Sequence, residues 1–165
     1  MTQEARAEEL LRLAERCKDA SGPDPDLDAA IHRIIYGEPE FAALPGGKRS
    51  RSPFWRTLDG RWASTPYTFT AAVEAAEHAL IDDAGWPEWT IERRCPTGYH
   101  ARIGKDGLGW GCETPALALL DAALRTRTAL ARAGQWRSAR HVPPNSSSAT
   151  KGDHLFSRPH WRHLT

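Results

Sequence analysis

Cys95, His100 and Cys112 are the residues whose types could hold a metal, since thiolate and imidazole are the ligands that zinc prefers. Their spacings, C-x4-H followed by H-x11-C, match no established finger, and a fourth ligand is missing, so no metal is expected. His154, His160 and His163 stand in a polar tail that would not preorganise a site. Nucleophilic chemistry has no better footing. The chain has no G-x-S-x-G and no H-E-x-x-H, and its cysteines lack the neighbouring His that marks a paired thiolate. Glu74–Glu77 and Asp82–Asp83 fall on or at the end of an exposed helix face, where carboxylates serve solubility. Gly104, Gly107, Gly109 and Gly111 invite comparison with a phosphate loop, yet no Gly-Lys-Ser/Thr follows and Glu113 intervenes at the next helix start. A small-ligand or nucleotide site at this glycine-rich hairpin stays open as an alternative. No catalytic residue and no cofactor are expected.

Binding chemistry concentrates elsewhere. Lys48, Arg49, Arg51, Arg56 and Arg61 interleave with Phe54, Trp55 and Trp62 in a connector rich in Pro, Gly and Ser. Arg with aromatics is how single-stranded nucleic acid is gripped and stacked, and equally how protein hot spots are built. Arg51, Trp55, Arg56 and Trp62 are the candidate partner-binding residues. A protein partner ranks above nucleic acid, because the formal net charge is only +1 and the acid-rich front of the chain would repel phosphate. The aromatics on either side of Leu58-Asp59-Gly60-Arg61 fit two short strands around an Asp-Gly turn, or pegs that pin a long loop.

The elements that must position these residues are clearer. Ala7, Leu10, Leu11, Ala14 and Cys17 recur at helical spacing and predict a helix over 3–18. Asp24-Pro25 is an N-cap acceptor followed by Pro at the first helical position, and opens a second helix that Gly37 ends. Leu27, Ile31, Ile34 and Ile35 form its stripe. Two short amphipathic helices joined by a brief turn predict a helical hairpin. Thr70 is the expected cap of a third helix over 71–83, terminated by Gly85 and Pro87. Residues 89–94 and 98–103 alternate as strands, and Leu108 to Cys112 offers a third. Thr114-Pro115 repeats the cap signature and opens a long helix to about Ala133. The expected core is Leu10, Ile31, Ile34, Leu80, Ile91, Ile103, Leu117, Leu120 and Leu124.

Three of these segments are similar to a known family. SGPDPDLDAAIHRII (21–35), PYTFTAAVEAAEHAL (66–80) leading to Gly85-Trp86, and TPALALLDAALRTR (114–127) together resemble the phage ABA sandwich domain, found in small phage and prophage proteins of proteobacteria. The resemblance spans roughly residues 6 to 132. It implies a sheet layer held between helical layers and no established catalytic residues. It also implies a non-enzymatic accessory protein that binds a host or phage protein, for instance to inhibit a host defence system, in the host cytoplasm or as a minor virion component.

Composition sets the outer bounds. The 165 residues carry 22 Lys+Arg against 21 Asp+Glu with 40% hydrophobic residues, enough for one domain with a real core. So balanced a charge argues against a generic polyanion binder. It is unevenly spread: residues 1–40 hold ten acids and five bases, whereas 41–66 hold five bases and only Asp59. No apolar run approaches a membrane span, no secretory signal is evident, and three scattered cysteines fit a reducing cytosol. The reading is an α+β domain over 1–136 with a small, mainly antiparallel sheet, a helical hairpin at its N-terminus and a flexible basic tail over 137–165.

Overall fold

The structure is a computed structural model that describes residues 2–44, 47–56, 62–80, 88–94, 96–104 and 107–135, with the side chains of Arg56, Trp62, His78, Ala79 and Leu80 outside that set. It is an α+β fold. In chain order its elements are α1 (Gln3–Asp19), α2 (Pro25–Tyr36), β1 (Ala43–Leu44), β2 (Lys48–Arg49), β3 (Trp55–Arg56), β4 (Trp62–Ala63), α3 (Val73–Leu80), β5 (Trp89–Arg94), β6 (Gly98–Ile103), β7 (Gly107–Cys112) and α4 (Pro115–Arg132). The expected tail over 137–165 lies outside the described residues.

The helix ends are set by local chemistry. Asp24 accepts the N–H of Leu27 at 2.9 Å with Pro25 at the first helical position, and Thr114 accepts that of Leu117 at 3.2 Å ahead of Pro115. Each side chain satisfies an amide that the first helical turn leaves without a partner. The α1–α2 hairpin is as expected.

α4 is the central element. It packs against α1 on one side, the β6–β7 half of the sheet on another, and α3 on a third. Surrounded in this way, it buries far more than one stripe. Ala116, Leu117, Ala118, Leu119, Leu120, Ala122, Ala123 and Leu124 are all buried. The alanines let neighbouring backbones approach, while each buried leucine contributes about 1.5–3 kcal/mol of hydrophobic stabilisation. Gly109 of β7 shows how close the approach is. A Cβ there would strike the Ala118 carbonyl oxygen and stand 2.9 Å from the Ala122 nitrogen.

The main sheet is antiparallel in the order β5-β6-β7, with Glu92 opposite His100 and Thr90 opposite Arg102. Strand alternation sends Ala101 and Ile103 into the core, and Thr90, Glu92, Arg94, Arg102, Leu108 and Trp110 the other way, while the register slip between Gly109 and Cys112 turns Cys112 back to the buried side. Only the inner face of the sheet is covered among the described residues. The layers therefore run from α1 and α2 through α4 to the sheet.

Several expectations need correction. Ile34 is only partly buried, and the stripe of α2 turns instead through Leu27, Ile31, His32, Ile35 and Tyr36. Ile91 too is only partly buried, on the inner face of an edge strand. Thr70 does not cap α3, which starts at Val73. Its hydroxyl accepts the Asp24 N–H at 2.8 Å, and its own N–H donates to Asp28 Oδ1 at 2.8 Å, so the residue ties α2 to the chain entering α3. Leu80 ends α3, its side chain undescribed, and Gly85 and Pro87 lie outside the described residues. In the connector the hairpin reading holds: Trp55 pairs with Ala63 and Arg56 with Trp62, while the Asp59-Gly60 turn is not described.

Candidate functional site

Trp55 is a peg as well as a strand residue. It is 6% exposed and meets His32 edge-on, ring centroids 5.0 Å apart, with the Arg33 guanidinium over its ring at 5.7 Å. His32, itself buried, also stacks with Tyr67 at 5.9 Å and Phe69 at 6.1 Å. Trp55 is thus spent on anchoring the connector to α2, and a ring closed in by the chain's own aromatics presents little surface to a partner. Arg51 is exposed beside the β1–β2 hairpin, as are Lys48 and Arg49. Arg56 and Trp62 share a ladder position in β3–β4, where only their backbones are described. Of the four candidates, the side chains of Arg51 and Trp55 alone are described, the first exposed and the second buried.

Of the three residues weighed as metal ligands, two are described, and they lie on opposite faces of the sheet. Cys112 points into the core and His100 into the outer face, and Cys95 lies outside the described residues. Among the described residues no three potential ligands cluster. Burial pushes the Cys112 thiol up to about 12, reinforced by the nearby Asp121 charge, and raises Cys17 by the same causes, so neither sulfur is a ready thiolate.

The surface with the most chemistry is the outer face of β5–β6–β7. Thr90, Glu92, Arg94, His100, Arg102, Leu108 and Trp110 line a shallow cleft of about 250 Å³ there. Trp110 is 47% exposed and Leu108 36%, so that together they form an exposed apolar pair on one strand. The Trp110 and His100 rings meet edge to face at 5.2 Å. Arg94 grips Glu92 Oε2 through Nε at 3.1 Å and Nη2 at 2.8 Å. That hydrogen bond and the Arg94 charge hold the Glu92 carboxyl below its ordinary value, with Arg102 and His100 adding to the effect. Arg102 has no ion pair among the described residues.

A hydroxyl and an imidazole also meet here. Thr97 Oγ1 lies 2.9 Å from His100 Nε2 and donates its one proton to the Arg94 carbonyl at 2.9 Å. His100 Nε2 must therefore carry a proton and donate to Thr97. The ring is turned the wrong way to act as a base toward that hydroxyl, and its Nδ1 is buried with no hydrogen-bond partner among the described residues. The arrangement orients a side chain and activates no nucleophile.

The face is held from behind. Asp121 of α4, fully buried, accepts the Trp110 N–H at 3.0 Å through Oδ2 and Arg125 Nε at 2.8 Å through Oδ1. Arg125 reaches on to Glu15 of α1 at 2.7 Å. Burial raises the Asp121 carboxyl above its ordinary value and outweighs the opposing pull of Arg125 and the Trp110 amide. The glycines that resemble a phosphate loop have structural work instead. Gly109 allows the close approach to α4, and Gly111 adopts φ +68° where the β6–β7 register slips.

The sequence offers Leu108 to Cys112 as a strand but draws attention to its glycines and not to Trp110, so this outer face is not among the sequence-based candidates. The alternation of Thr90, Glu92 and Arg94 was the available signal. Compared with protein-family models, curated proteins and solved structures, the chain gives no match. No described helix is long and apolar enough to cross a membrane.

Proposed function

We propose that the chain is a non-enzymatic binding protein whose partner is another protein, and that the outer face of the β5–β6–β7 sheet is its principal contact surface. The observation that carries this reading is Trp110, half-exposed beside Leu108 and Arg102 on a strand whose backbone Asp121 pins to α4. Trp and Arg dominate protein hot spots, and a side chain on a fixed backbone loses little entropy on binding. The phage or prophage origin, and an accessory role such as inhibition of a host defence protein in the host cytoplasm, rest on the resemblance of residues 21–35, 66–80 and 114–127 to the phage ABA sandwich domain.

The test is affinity capture from phage-infected or lysogenic cells, with wild type and Trp110→Ala as baits and mass spectrometry as readout. A protein retained by wild type and lost from Trp110→Ala, at unchanged melting temperature, is the expected result. Equal retention would remove the sheet face as the site. Salt-sensitive recovery of DNA or RNA by wild type would favour the second reading, a nucleic-acid contact through the connector, for which the exposure of Lys48, Arg49 and Arg51 speaks.

A further inference from the structure

Two of the charges on the outer face already satisfy each other. Arg94 uses two nitrogens on a single oxygen of Glu92, so its charge is already paired. Arg102 is left as the cation without a carboxylate among the described residues, on the central strand, with Leu108 directly opposite it in register and Trp110 two residues further along. An apolar ledge of Leu108 and Trp110 thus borders a planar, undischarged guanidinium. We propose that this face takes an acidic peptide segment, one carboxylate forking onto Arg102 while an adjacent aromatic or aliphatic side chain covers Trp110 and Leu108. The inference rests on the protein-binding reading above and names the chemistry of its partner.

Charge complementarity separates a peptide from the other polyanions. A nucleic-acid strand repeats its phosphate at every nucleotide and needs a track of cations and several stacking rings. Among the described residues this face offers one unengaged arginine, one exposed tryptophan and a carboxylate, Glu92, that opposes a phosphate track. A peptide carboxylate needs only one guanidinium fork, which binds it through two parallel hydrogen bonds. A second copy of this chain is a poorer occupant, since stacking two such faces would bring four arginines together with two glutamates. The acid-rich α1 packs on α4, away from the outer face, so its carboxylates do not fill Arg102's vacancy.

The experiment pans a random dodecapeptide library displayed on phage against the immobilised full chain, in parallel with Arg102→Glu and Trp110→Ala. Wild type is expected to enrich peptides that pair Asp or Glu with an aromatic or aliphatic residue. Arg102→Glu should shift enrichment toward Lys and Arg. Trp110→Ala should weaken the best wild-type peptide by about tenfold or more in fluorescence anisotropy, the loss typical of a hot-spot aromatic. Both side chains are exposed, so melting curves should match wild type. If Arg102→Glu melts early, Arg102→Ala serves as the second variant, expected to lose the acidic preference without gaining a basic one. Enriched peptides that lack acidic residues but still need Trp110 would overturn the acidic chemistry and leave the protein-binding reading standing. Labelled dT12 bound by wild type, with no Trp110-dependent peptide recovered, would overturn both.

Discussion

Asp121 and Trp110 are joined across the boundary between helix and sheet. The buried carboxylate of α4 accepts the backbone N–H of β7 at 3.0 Å, at the point where that strand's register slips. The bond turns to use an amide that the irregular ladder leaves over. Asp121→Ala would strand that amide and leave Arg125 with Glu15 alone. A loss of about 2–4 kcal/mol is expected in urea denaturation, the range for breaking a buried, charge-assisted network. Trp110 should become more mobile in the same variant, read as faster amide exchange at that position.

Acid should at first stabilise this protein. Burial raises the carboxyls of both Asp28 and Asp121, opposed in Asp28 by its hydrogen bonds from Thr70. The folded chain therefore holds protons at pH values where the unfolded chain has released them. Stability contributed by these groups grows as pH falls from neutrality through their raised values toward 3.8, and declines as pH rises again. Glu15 acts in the opposite sense. The hydrogen bond from Arg125 and its charge lower Glu15 below 4.5, so its contribution is present above 4.5 and fades as pH falls through its folded value. The urea midpoint should rise on mild acidification and fall only in stronger acid. Asp28→Asn with Asp121→Asn should flatten the rise; an unchanged rise in that double variant would assign it to other groups.

Gly109→Ala is expected to be among the most damaging single-methyl additions to the chain. The added Cβ meets helix backbone, from Ala118 and Ala122, and no flexible side chain that could move aside. Sheet and helix would have to separate, at a cost of about 3 kcal/mol or more. Circular dichroism melts of this variant beside Gly22→Ala, where nothing lies within 4 Å, give the comparison.

The connector should divide sharply under mutation. Trp55→Ala opens a cavity beneath His32 and should cost about 3–5 kcal/mol, the range for removing a buried aromatic. Arg51→Ala, on an exposed turn, should leave the melting temperature nearly unchanged. Combined with Arg56→Ala, it tests whether the basic connector adds to partner capture. Wild-type capture by that double variant would confine the contact to the sheet.

What was legible in the sequence was local. Asp24-Pro25 and Thr114-Pro115 announce helix starts because cap, proline and amide all lie within four residues. The alternation over 89–94 and 98–103 likewise marks its strands. Nothing local says that Thr70 spends its hydroxyl on Asp24, 46 positions away, or that His32 belongs among Trp55, Tyr67 and Phe69. The aliphatics of α2 taken alone put Ile34 on its buried stripe, whereas the ring of His32 takes the deeper place. The outer face followed the same logic. Its members alternate visibly, but which side of the sheet α4 would cover depends on Gly109, whose small size matters only once the helix is in place.

The paired bonds of Thr70 to Asp24 and Asp28 close a ring in the chain. Everything between α2 and residue 70, including both two-stranded ribbons, is strung between two points fastened to the same patch of core. Once a loop is clasped at its base, the entropy of closing it grows only with the logarithm of its length, about 0.6 kcal/mol for each doubling. The segment from 37 to 66 is therefore free to be lengthened, shortened or rewritten over generations, provided Trp55 still reaches its socket. A protein under pressure to change what it grips has here a region where novelty is cheap, attached to a scaffold that does not feel the change.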